Sequence, residues 1–380
     1  MWEVFQNRNL ICGENSVDKI KDICLEEGYK KIFILVYSKG CARLEHILSL
    51  LKGIGTAAVV DDSIQGEPEI QDIERILTKL KLEKCDALAA VGGGSVLDSG
   101  KAAAMLFTNG GSVEDYQLKE RPVKKRTLPL ISVPTTAGTG SEASKVSVVY
   151  NRLEKLKKSF YSPYMIAETV LLDPALTVGT PKEITASCGI DALSHAIESF
   201  VSLNATEYTE MMGIKAMELI AEYLPACMEH PGDMNARGKM LLASYFAGCA
   251  LNAGIGLAHM IAQPVGGVLK VPHGDACSVF LPYAMEYNLD CCVDKFVRVA
   301  EIFKTEKRAD PYAYALAGIE KVKDFIRHTG TPQDLKRYTE GINTDLDSMV
   351  QIISKATSHI KSNPKPVTEK AVREVLIKVI

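Results

Sequence analysis

The sequence has no Cys-x-x-Cys pair, no internal repeat and only one tryptophan in 380 residues. The start, Met1-Trp2-Glu3-Val4-Phe5, lacks a basic stretch running into an apolar one, so no export signal is apparent there. The ten cysteines therefore read as reduced, mostly buried thiols of a cytoplasmic protein, not as a disulfide framework. Charge of one sign is also lacking. Lys and Arg number 44 against 47 Asp and Glu, a formal net charge of −3. That balance offers no electrostatic footprint for nucleic acid or an anionic membrane surface. One stretch, Leu241 to Leu269, holds no Asp, Glu, Lys or Arg and is long enough to span a bilayer. It also holds Gly248, Gly254, Gly256, Gly266, Gly267, Asn252, His259, Gln263 and Pro264. Such groups are costly in lipid, so the stretch reads as a helix buried in protein and ending near a site.

What is present is an ordinary globular mixture, 47% apolar and 24% charged. A chain of this length exceeds one usual core and predicts two domains. Short apolar runs at Ile32 to Val36, Thr56 to Val60, Ala87 to Val91 and Leu130 to Val133 read as buried strands. Val170 to Leu172 runs into the turn at Asp173-Pro174. Helical patterns lie between them, at Arg43 to Leu51 and Ile70 to Leu80. Alternation of this kind predicts an α/β unit with a parallel, Rossmann-like sheet. Beyond about residue 180 the strand runs stop. Helical patterns cover Ile184 to Val201, Glu207 to Tyr223, Asn235 to Leu251, Val293 to Phe303 and Ala313 to His328. The expected division is an α/β domain over residues 1–178 and an all-α domain over 179–380, with Pro181 close to the break.

Gly92-Gly93-Gly94-Ser95 stands between a predicted strand and a helix opening at Val96. Glycines let a backbone approach a pyrophosphate, and a helix N-terminus offers free N–H groups. The segment is neither G-x-G-x-x-G nor a P-loop, and a tight strand-to-helix turn is the plainer reading. A second loop of small residues, Pro134-Thr135-Thr136-Ala137-Gly138-Thr139-Gly140-Ser141, follows the next strand. Two such loops after adjacent strands favour a dinucleotide cradle over either loop alone.

Seven histidines occur, and three of them lie in apolar, glycine-rich or turn contexts. Asp191 and His195 are four apart and share one helix face. His259 lies in the uncharged stretch, and His273 follows Pro272. Each alone fits a hydrogen-bonded core residue. Together, a carboxylate and three imidazoles suit a divalent ion such as Fe2+ or Zn2+. The spacing is looser than in a structural zinc site, which leaves room for an open coordination position.

These residues, in order over nearly the whole chain, resemble the iron-containing (group III) alcohol dehydrogenase family. The resemblance rests on Gly92 to Lys101, Pro134 to Glu142, Asp173 to Thr177, Gly189 to Glu198, Asn252 to His259, Pro272-His273-Gly274 and Asn363 to Pro366. It implies a nucleotide-binding α/β domain, a helical domain and a site in the cleft between them. It implies Asp191, His195, His259 and His273 as ligands of Fe2+, with Zn2+ or Mn2+ as alternatives. Gly93, Gly94, Ser95 and Asp98 would face the pyrophosphate and nicotinamide half, and Thr135, Thr136 and Thr139 would complete the cradle. Lys157 matches a family lysine near the nicotinamide ribose, and Leu176 would lie near the adenosine. Asp98, Gln263 and His273 are the candidate catalytic residues. Two positions depart from the family pattern. Gln263 stands where many members have a second histidine, so it either hydrogen-bonds substrate or water or is a structural amide. Ser38-Lys39 stand where NAD-preferring members place an acid, which leaves both NAD and NADP open. The expected activity is reversible hydride transfer between NAD(P) and a small primary alcohol or aldehyde, in a homodimer or larger homo-oligomer. The alternatives are a glycerol dehydrogenase-like or dehydroquinate synthase-like enzyme of the same fold, or a nucleotide-independent metal hydrolase.

Overall fold

Apolar runs too short for helices form the centre of the first half of the chain. A computed structural model describes residues 1–41, 43–152, 156–340, 345–355 and 361–380. Its strands are β1 (Asn9–Cys12), β2 (Lys31–Val36), β3 (Ala57–Asp61), β4 (Ala87–Gly92), β5 (Leu130–Pro134), β6 (Val146–Asn151), β7 (Leu156–Tyr161) and β8 (Thr169–Leu172). Six form one sheet in the order β1-β8-β5-β4-β2-β3. Every neighbouring pair in it is parallel. In β4, β5 and β8 every residue is buried, as continuous apolar strands covered on both faces should be. The covering helices show the matching period. The Ile70–Leu82 helix buries Ile70, Ile73, Ile76 and Leu80 and opens with a capping box between Glu69 and Asp72.

Chain direction across the sheet reverses at β2 and β4. From β2 the chain moves outward to β3, and from β4 it moves the other way to β5. Parallel sheets bind nucleotides beyond the strand C-termini at such a point. Val36 pairs with Val91 and Gly92 with Pro134. Ser38, the glycine loop and the threonine loop therefore leave three adjacent strands at one level.

Helices make up the second part. The principal ones are Lys182–Val201, Glu207–Glu229, Leu257–Leu269, His273–Asn288, Val293–Ile302 and Pro311–His328. From Ile190 to Val201 the Lys182–Val201 helix is buried on every side, the mark of a helix inside a core. Close packing there depends on glycine. A Cβ on Gly189 would come 2.5 Å from Leu224 Cδ1, and one on Gly274 would come 2.1 Å from the Ser187 carbonyl oxygen.

Two compact units emerge. The first is essentially Glu3–Thr180 with Gly232–Tyr245, and the second Pro181–Pro231 with Phe246–Ile380. The break falls next to Pro181. Gly232–Tyr245 belongs with the first unit because the Gly140 N–H donates to Ser244 Oγ and the Tyr245 hydroxyl donates to Asn7. The uncharged stretch breaks at a short turn of helix, Leu251–Ala253, and resumes as the Leu257–Leu269 helix. No single helix among the described residues is long and apolar enough to cross a membrane.

Candidate active site

In the first unit the glycine and threonine loops touch. Gly93 precedes the 16-residue Gly94–Asn109 helix, so its N-terminal N–H groups face the loop crevice. A Cβ on Gly94 would lie 2.5 Å from Thr139 Cγ2, and one on Gly93 would lie 3.3 Å from Thr136 Oγ1. Thr135 N–H donates to the Gly92 carbonyl at 3.0 Å, which ties the loops at their base. The Ser95 carbonyl accepts from Ser99 Oγ.

Asp98 links the glycine-loop helix to the end of the threonine loop. Its carboxylate accepts from Ser141 Oγ at 2.5 Å and Val148 N–H at 2.9 Å, and pairs with Lys101 Nζ at 3.0 Å. Lys101 is fully buried and also donates to the Ser141 carbonyl. Both oxygens of Asp98 are thus engaged within the unit. Glu142, at the end of the threonine loop, is buried, and its Oε1 accepts no hydrogen bond among the described residues. Burial pushes its carboxyl up to about 7. A group raised in this way favours folding below its unfolded value and loses that contribution as pH climbs through the folded one. Relative to the parent chain, Glu142→Gln should gain roughly 3 kcal/mol between about pH 4.5 and about pH 7, measured by denaturant unfolding at each end.

Three further residues expected at the cofactor, Ser38, Lys157 and Leu176, make the following contacts. Ser38 Oγ accepts from Gly40 N–H, and Lys39 Nζ lies 3.7 Å from Asp62. Lys157, on β7, pairs with Glu67. Leu176 is part of the apolar core with Val36, Val91, Val133 and Leu171.

In the second unit the polar residues singled out by sequence converge on one atom. Asp191 Oδ1 lies 3.5 Å from His259 Nε2, 3.5 Å from His273 Nε2 and 3.7 Å from His195 Nε2. The His195 and His259 rings stack with centroids 4.6 Å apart. Cys277, one turn after His273, brings Sγ to 3.6 Å from Asp191 Oδ1. Donor atoms of Asp191, His259, His273 and Cys277 all lie within 4.8 Å of one another. Solvent reaches this group through His273, whose side chain is 28% exposed, whereas the others are buried.

Charge explains the cluster. Burial opposes ionisation of Asp191, but three imidazoles outweigh it and hold the carboxyl far below its ordinary range. Burial likewise opposes charge on His259, while Cys277 and Glu198 raise it well above the usual imidazole value. Burial pushes the Cys277 thiol up to about 11. Carboxylate, imidazole and thiol groups meeting at ligand-to-ligand spacing are the donor set of a transition-metal site.

Glu198 supports that set. Its Oε2 accepts from His259 Nδ1 and its Oε1 from Ala258 N–H at 2.7 Å. With Nδ1 held by Glu198, Nε2 is the ring nitrogen that faces Asp191. Asn363 caps the same helix, accepting from Leu257 N–H at 3.1 Å, and exchanges hydrogen bonds with Asn288. Gln263 stands one turn beyond His259 on this helix. Neither Glu198 nor Cys277 was singled out by sequence. The signal for Cys277 was present, since it stands four residues after His273 just as His195 stands four after Asp191.

Models of known families match both units. "Iron-containing alcohol dehydrogenase" matches residues 7–174, and "Fe-containing alcohol dehydrogenase family, C-terminal" matches residues 185–380.

The chain belongs to the iron-containing alcohol dehydrogenase family.

Its activity is that of an alcohol dehydrogenase or, in reverse, an aldehyde reductase, and membership implies a metal and a nicotinamide cofactor. The probable alcohol dehydrogenase EutG of Escherichia coli K12 is 36% identical over 328 residues, 84% of this chain and 80% of the relative. The NAD-dependent methanol dehydrogenase of Bacillus methanolicus is 35% identical over 297 residues, 77% of each chain. A crystal structure of 1,3-propanediol oxidoreductase superposes with a TM-score of 0.94 at 28% identity, covering all of both chains. For this dehydrogenase, Glu198→Gln is expected to weaken metal binding about 10- to 100-fold, because an amide no longer fixes the His259 tautomer. Chelator competition measures the change.

Proposed function

We propose that this iron-type dehydrogenase interconverts small primary alcohols and aldehydes using NAD(H), with Fe2+ or Zn2+ held by Asp191, His195, His259 and His273. The observation that carries the reading is the approach of three imidazole Nε2 atoms and one buried carboxylate oxygen to 3.5–3.7 Å. When bound, the cation acts as a Lewis acid on the substrate oxygen while the nicotinamide accepts or donates the hydride. The chain's own residues do the rest. Asp191 supplies the negative charge on which the imidazoles converge. Glu198 orients His259, and partly exposed His273 marks the side by which substrate enters. Gly93, Gly94 and Ser95 offer N–H groups to a pyrophosphate, and Thr135, Thr136 and Thr139 wall the crevice. Asp98 keeps the two loops together as a positioning residue. Gln263 exchanges no proton near neutral pH, so its amide would hydrogen-bond substrate or water there and not relay the alcohol proton.

NAD(H) is favoured because Lys39 is drawn to Asp62, whose carboxylate opposes a 2′-phosphate nearby. None of the ten cysteines forms a disulfide, which suits a reducing cytoplasm. Exposed Trp2, Val4 and Phe5 beside edge strand β1 suit a homo-oligomer contact.

A metal-reconstituted panel of short aldehydes with NADH and NADPH, followed at 340 nm, tests the reading. NADH oxidation that depends on the metal supports it. Preference for NADPH overturns the cofactor assignment, and turnover unaffected by metal removal overturns the centre. In the same assay Gly94→Ala is expected to weaken NADH binding at least about tenfold, since overpacking by a methyl costs about 1–3 kcal/mol. Adding Thr139→Ser removes the colliding Cγ2 and should restore part of the affinity.

A further inference from the structure

We propose that Asn363, paired with Asn288, is a positioning residue of the metal centre and holds His259 in place from a segment distant in sequence. The inference rests on the reading of Asp191, His195, His259 and His273 as ligands of the cation, and it leaves that set unchanged.

The first argument is the start of the Leu257–Leu269 helix. A helix N-terminus leaves its first N–H groups without intrahelical acceptors. Gly256, at the cap position, has no side chain to supply one. Acceptors come from elsewhere. Asn363 Oδ1 takes the Leu257 N–H at 3.1 Å across 106 residues of sequence, and Glu198 Oε1 takes the Ala258 N–H at 2.7 Å. His259 follows directly, with Nδ1 on Glu198 Oε2. Three successive residues are thus held by one amide and one carboxylate. The fit is close, since a Cβ on Gly256 would stand 2.5 Å from Asn363 Oδ1 and 3.3 Å from Glu198 Oε1. Helix ends fray when uncapped, and a preorganised centre needs its ligand atoms held to within about 0.5 Å. His259 is the third residue of this exposed-to-fraying turn, so its cap bears on the centre.

The second argument is what Asn363 joins. It is buried, and its amide is fully engaged. Oδ1 also accepts from Asn288 Nδ2 at 3.0 Å, while Nδ2 donates to Asn288 Oδ1 at 2.9 Å and to the Lys365 carbonyl. Asn288 ends the His273–Asn288 helix. The amide pair therefore ties the end of the helix that carries His273 to the start of the helix that carries His259. Next to it, Ser362 Oγ donates to the Ile255 carbonyl, and the Ser362 carbonyl accepts from Leu203 N–H at 2.9 Å. Leu203 follows the Lys182–Val201 helix, which carries Asp191, His195 and Glu198. Ser362 and Asn363 thus bracket every helix that supplies a donor to the centre.

Cobalt loading tests the role. Full-length protein is stripped with chelator and reloaded with Co2+, whose visible bands report ligand geometry and whose affinity is read by chelator competition. Asn363→Ala is expected to weaken cobalt binding about 10- to 100-fold, as loss of a group that orients a ligand does, and to shift the visible bands. Turnover should fall while KM for NADH stays unchanged. Asn288→Ala keeps the acceptor for Leu257 N–H and removes only its tether, so its loss of affinity should be smaller, within about tenfold. Val322→Ala is the control for stability alone. It trims a buried side chain in the Pro311–His328 helix, which carries no donor, and should lower the unfolding midpoint with cobalt affinity and bands as in the parent. Parent-like affinity and bands in both asparagine variants overturn the positioning role and leave the metal centre standing. An equal loss of affinity in Val322→Ala assigns the effect to general stability and also overturns it. If Asn363→Ala does not fold, Asn288→Ala decides, and parent-like affinity and bands there refute the proposal. Absence of stoichiometric cobalt binding by the parent protein overturns the metal centre and the proposal with it.

Discussion

Asp191→Asn should release the bound cation and lower turnover at least about a thousandfold, the equivalent of roughly 4 kcal/mol of transition-state stabilisation. The substitution preserves shape and removes charge. Asp191 Oδ1 is the one atom that all three imidazole Nε2 atoms approach. A neutral amide is a poor ligand, and it leaves Glu198 as the buried carboxylate still paired with His259. Metal analysis of the purified variant and turnover at 340 nm should fall together. Retention of both metal and rate after this substitution would remove Asp191 from the centre.

Gly274→Ala should be the most damaging methyl addition in the helical unit. The new Cβ would meet the Ser187 carbonyl oxygen at 2.1 Å and its carbon at 2.6 Å. Backbone atoms of a buried helix have no room to retreat, and overpacking of this kind costs about 1–3 kcal/mol, occasionally more. The displaced turn carries His273 and, one turn on, Cys277, so metal affinity should fall with stability. Gly267→Ala is the contrast. It lies in a helix with nothing within 4 Å of the added carbon, so helix propensity should stabilise it by up to about 1 kcal/mol. Denaturant midpoints compare the pair. Equal effects at both positions would mean that the close approach at Gly274 is not decisive.

The central strands were legible as sequence because continuous apolar runs such as Ile32 to Val36 and Ala87 to Val91 can only be buried on both faces. β1, β6 and β7 were not. β1 is a four-residue edge strand, largely exposed, and β7 carries Lys157 and Lys158. Strands at an edge or in a lone hairpin lack the apolar run that marks an inner one. The long helices were readable from their period. The return of Gly232–Tyr245 to the first unit was not, because it depends on single contacts such as Ser244 with Gly140, 104 residues apart.

Residue chemistry and local spacing by themselves determined which groups could serve. They singled out glycines where a strand meets a helix, a carboxylate and an imidazole four apart on one helix, and histidines in apolar or glycine-rich surroundings. Only tertiary structure decided which atoms meet. It drew Cys277 from ten similar thiols to the side of Asp191, joined His259 to Glu198, and tied Asp98 to Ser141 and Val148. The physical reason is range. Backbone periodicity and side-chain chemistry act over a few residues, whereas a ligand sphere forms only where packing brings separate helices within bonding distance.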